Sequence, residues 1–163
     1  MNIRINFDYY DQILNVYGRI ISKKQTSHTQ ISLSNSSPNY ADGFVNVYVA
    51  KSITTLKKVI QLSLSSKNEN LAYAALEVFN FLTFPKNKNQ DYSKNYEGYF
   101  DDAWLIHNFA KHCIDKGYFP ASAFEDVVVD NVKIDTLLSK NLSNNIYSKL
   151  RSTLNKIIQE FKI

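Results

Sequence analysis

The chain has 163 residues, 44% of them apolar and 21% charged, with a formal net charge of +4. That length suits one domain with one core and is too short for two well-packed ones. The apolar runs are far below the ~18 to 20 residues that cross a bilayer, and the polar start Met1-Asn2-Ile3-Arg4 has no signal-like apolar stretch behind it. Cys113 is the single cysteine, which excludes an internal disulfide or a cysteine-built metal cage and fits a reducing compartment, so a soluble cytoplasmic protein is expected.

Between Phe7 and Lys24, residues Phe7, Tyr10, Ile13, Leu14, Tyr17, Ile20 and Ile21 recur at three- and four-residue spacing and predict an amphipathic helix. Asn6 or Asp8 is placed to cap it, Lys23 and Lys24 suit the negative end of its dipole, and Gly18 weakens it by about 1 kcal/mol. The Ser/Thr/Asn-rich stretch from Gln25 to Asn39, with Pro38, has the composition of a long connector.

From Phe44 to Leu64 two patterns compete. Val45, Val47 and Val49 alternate like a strand, whereas Val45, Val49, Ile53, Leu56, Ile60 and Leu64 follow a longer helical stripe, which predicts a helix capped by Asp42. Leu71, Ala74, Ala75, Val78 and Leu82 predict a third helix, which Phe84-Pro85 ends because the residue before proline is pushed out of the helical region. Lys86 to Asn95 reads as a polar loop. A fourth helix is expected from Tyr99 to Lys116, with Gly117 in the left-handed position that follows many helices.

Beyond Pro120, Val127-Val128-Val129 fits either a helical turn or a brief strand. Ile134, Leu137 and Leu138 open a further helical stretch, and Ile146, Leu150, Leu154, Ile157, Ile158 and Phe161 define a terminal helix. The expected fold is all-α, a single-domain bundle of five to seven helices over residues 1–163, with room for a minor β element at 44–49 or 127–129. No repeat of fixed period points to a solenoid.

The densest chemistry lies in Tyr99-Phe100-Asp101-Asp102-Ala103-Trp104-Leu105-Ile106-His107, followed by His112 and Cys113. On a helix, His107 and His112 fall about 140° apart, unlike the i, i+4 pair of a zinc helix. Asp101 and His112 share a face but are separated by about 16 Å along the axis. Asp101 and Asp102 in a first helical turn are explained by the dipole and its open N–H groups, the histidines by hydrogen bonding or solvent, and Cys113, on the stripe of Ala103, Ile106, Phe109 and Ala110, as a buried thiol. His28, in the Ser-rich stretch, has no company. With no phosphate loop, nucleophile elbow or metal-spaced cluster, no catalytic residue, metal site or cofactor is assigned. An enzyme using Asp101, Asp102 or His107 is the alternative, and it requires complementary groups from elsewhere in the chain within about 3 Å.

Leu71-Ala72-Tyr73-Ala74-Ala75-Leu76, Pro85 and Gly98-Tyr99-Phe100-Asp101-Asp102-Ala103 together resemble the bacterial YkvA-like family, in which an apolar helix and a proline-containing loop precede a Gly-Tyr-Leu-Asp-Asp-Ala helix start. The resemblance covers residues 71–103, about a fifth of the chain, and implies a helical fold.

Two surface features point to a partner. Tyr40, Tyr92, Tyr96 and Tyr118 fall in apparent loops, where tyrosine makes a good interface anchor and equally well covers a core edge. Glu125, Asp126, Asp130 and Asp135 form an acidic concentration in a basic chain, either a solvated helix face or a surface for a basic partner. By elimination, the sequence suggests a bacterial protein-binding protein of the immunity type, which neutralises a cognate toxin, such as a basic nuclease, by covering its active site; Glu125, Asp126, Asp130, Asp135, Tyr92, Tyr96 and Tyr118 are its candidate contacts. The alternative of nonspecific nucleic-acid binding rests on Lys23, Lys24, Lys57, Lys58, Lys149, Arg151 and Lys156, and predicts affinity that falls steeply with salt. Arg4, Arg19 and Arg151 are the only arginines, a poor supply for reading bases.

Overall fold

The computed structural model describes residues 15, 40–83, 100–124 and 144–163. Four long helices account for most of them: α1 (Tyr40–Ser65), α2 (Glu69–Thr83), α3 (Phe100–Asp115) and α4 (Asn144–Phe161), with a short 3-10 turn at Ala121–Ala123. The described part is all-α and has no strand. The longer helical stripe therefore prevails at 44–49: branched residues lower helix propensity only slightly, and α1 as a whole packs against two neighbouring helices. Two local expectations need correcting. Tyr40 is the first residue of α1 rather than part of a loop, and Asp42 lies inside the first turn rather than at the cap. The expected helix at 7–24, apart from helical Asn15, the connector at 25–39, the loop at 86–95, the Val127–Val129 run and the stretch after Ile134 lie outside the described residues.

Three residues, Ser66-Lys67-Asn68, join α1 to α2 as an αα-hairpin. Lys67 turns the chain with φ +56°. The Ser66 hydroxyl donates to the Ser63 carbonyl at 2.7 Å and accepts from the Asn68 N–H at 3.2 Å, so a side chain satisfies groups that the helix ends leave open. Asn68 then caps α2: its Oδ1 accepts the Leu71 N–H at 3.2 Å, and Glu69 places a carboxylate against the positive end of the helix.

α3 ends as its sequence predicts. Gly117 adopts φ +77°, the Gly117 N–H donates to Ile114 O at 3.0 Å, and the Tyr118 N–H donates to Cys113 O at 2.9 Å. This pair of bonds is a Schellman motif, and the glycine is needed for its left-handed φ, since nothing lies within 4 Å of where a Cβ would sit.

Packing is uneven. α1 and α4 each lie against both α2 and α3 and make little contact with each other, so they occupy opposite corners of the bundle. α1 turns Tyr48, Ser52, Thr55, Leu56, Val59, Ile60 and Ser63 inward, a helical stripe. α2 contributes Leu71, Val78, Phe79 and Phe81 together with Ala72, Ala74 and Ala75. In α3 every residue from Asp102 to His107 is buried, and so are Phe109, Ala110 and Cys113. Six consecutive buried residues cover all sides of a helix, so α3 is surrounded for most of two turns. α4 is one-sided, with Leu150 and Ile157 buried, Tyr147, Leu154 and Phe161 partly so, and its remaining face in solvent. No helix among the described residues is long and apolar enough to cross a membrane.

Candidate functional site

The chemical groups that the sequence concentrates on α3 are carried into the interior. Asp102, in the first turn, is 1% exposed and His107 is 0% exposed. His107 Nε2 lies 2.9 Å from the main-chain oxygen of Tyr48 on α1. A carbonyl only accepts, so Nε2 carries the proton and donates it. The imidazole also packs on the Tyr48 ring, with centroids 4.3 Å apart and planes tilted by 49°. Ser52 and Thr55 are further buried polar residues on the same stripe of α1 as Tyr48. The side chain of Asp101 lies outside the described set.

His112 points elsewhere. Its Nε2 lies 3.2 Å from the main-chain oxygen of Ile163, just past the end of α4, so the two histidines tie α3 to opposite corners of the bundle. This is the divergence that five-residue spacing on a helix requires. Cys113 is fully buried, and loss of solvation pushes its thiol up from 9.0 to about 12. A thiolate is the reactive form, so the folded protein holds this sulfur inert at neutral pH. Among the described residues no three His, Cys, Asp or Glu side chains come together as a metal-ligand set.

Of the candidate contact residues, Tyr118 is described: it follows Gly117 in the Schellman turn, 36% exposed at the end of α3. Glu125, Asp126, Asp130, Asp135, Tyr92 and Tyr96 lie outside the described residues. Lys23 and Lys24 also lie outside the described residues, and the five described candidate cations do not gather on one face. Lys57 donates to Asn15 Oδ1, and Lys58 lies beside it on α1, whereas Lys149, Arg151 and Lys156 are exposed on α4 at the opposite corner.

Two surface arrangements escaped sequence reasoning. The Arg151 guanidinium donates to the Tyr147 hydroxyl at 2.9 Å and lies 4.7 Å from that ring's centroid, while Trp104 meets the ring edge-on at 5.5 Å. The i, i+4 spacing of Tyr147 and Arg151 was the available signal. Tyr73 of α2 stacks on Phe161 of α4, with centroids 6.5 Å apart, and remains 36% exposed. No local pattern connects those two positions.

No family model, no curated protein and no solved structure matches the chain.

Proposed function

We propose that this protein works through its surface, as a binding protein that engages another protein, and that it has no reactive centre. The observation that carries the reading is the burial of Asp102, His107 and Cys113 within a surrounded helix. At 0 to 1% exposure these three side chains face core neighbours and not solvent, which supports a packing and hydrogen-bonding role for them. Within this proposal the protein is a bacterial, cytoplasmic immunity protein, and its partner is a toxin domain with a basic face. Tyr118 together with the acidic run Glu125, Asp126, Asp130 and Asp135 forms the contact surface, with Tyr92 and Tyr96 as further anchors. The separation of Lys57 and Lys58 from Lys149, Arg151 and Lys156 favours this reading over a single cationic track for nucleic acid. A common origin with the YkvA-like proteins over residues 71–103 belongs to the same proposal and adds no activity to it.

The test is affinity capture of the tagged protein from its own host at ~150 mM salt, a level at which weak phosphate contacts are screened. Nuclease treatment and mass spectrometry of the retained material follow. One stoichiometric protein is expected, and its loss on combining Glu125→Lys, Asp126→Lys and Asp130→Lys locates the surface. Tyr118→Ala should weaken that complex about tenfold or more if the ring is an interface anchor. Retention of nucleic acid alone, in samples without nuclease, overturns the proposal in favour of the lysine surfaces.

A further inference from the structure

We draw no further inference here: the strongest candidate, the partly exposed aromatic ledge formed where Tyr73 of α2 stacks on Phe161 of α4, carries nothing because nothing in the structure shows what covers it.

Discussion

α3 and α4 are similar in length and pack against each other, yet they stand in opposite relations to the core. α3 is enclosed by α1, α2 and α4, and its polar residues Asp102 and His107 are as deeply buried as its Leu105 and Phe109. α4 rests on α2 and α3 by one face and shows its lysines, Arg151 and Glu160 to solvent. A cluster of Asp, His and Cys on a surrounded helix thus has a different meaning from the same cluster on a one-sided helix. In the first setting these residues must be satisfied internally, and in the second they meet whatever is dissolved outside.

The largest difference should appear in core truncation. Phe109→Ala on α3 leaves a cavity that neighbours on every side cannot fill, and a loss of about 3–5 kcal/mol is expected. Leu154→Ala on α4 removes a side chain that is only partly covered, with an expected loss of roughly 1 kcal/mol. Urea midpoints of the two variants measure the contrast. Equal losses would show that α4 is as much a core element as α3.

Alkaline pH sharpens the same distinction through Cys113. Its thiol ionises near 9.0 when solvated and at about 12 when folded, so between these values the unfolded chain has released a proton that the native chain retains. Fewer protons on the unfolded state make stability fall as pH rises, by about 1.4 kcal/mol per pH unit at most. Cys113→Ala should remove this component and leave the other pH-dependent contributions in place. The difference in unfolding free energy between wild type and variant, measured by urea titration from pH 8 to 11, should therefore shift against the wild type by about 2 kcal/mol or more. A constant difference across that range would mean that the thiol is solvated in the native state. A thiol reagent at pH 8 offers an independent check, with slow labelling expected in buffer and rapid labelling in denaturant.

How much of this was legible depended on whether the information was local. The stripe Ile146, Leu150, Leu154, Ile157, Phe161 announced α4 because a one-sided helix writes its burial into a 3.6-residue period. The Leu71 to Val78 stripe and the Gly117 terminus were equally readable, being set within a few residues of chain. On α3 periodicity gave the helix and the buried thiol. It could not show that Asp102 and His107 are enclosed, because that depends on the helices packed around α3; the partner of His107, Tyr48, lies 59 residues away. The separation of the cations on α1 and α4 is likewise a fact of packing.

The hairpin between α1 and α2 and the turn after α3 pose the comparison on a smaller scale. Asn68→Ala removes the cap bond to Leu71 and should cost about 1 kcal/mol, a figure typical of lost N-caps. Gly117→Ala should cost a similar amount, roughly 1 kcal/mol, through its left-handed φ and not through any clash.

Lys67 occupies the equivalent left-handed position at φ +56° with a Cβ in place, which is why the sequence marks one turn and hides the other. Replacing it by glycine relieves a backbone strain of about 1–2 kcal/mol and adds unfolded-chain entropy that opposes folding by roughly 0.5–1 kcal/mol. Lys67→Gly should therefore stabilise the protein by up to about 1.5 kcal/mol, raising the urea midpoint. The side-chain bonds of Ser66 lie beside this residue and do not depend on the lysine side chain, so they should persist in the variant. A lower midpoint for Lys67→Gly would mean that the hairpin does not hold residue 67 in the left-handed region, and that Ser66 and Asn68 alone set the turn between α1 and α2.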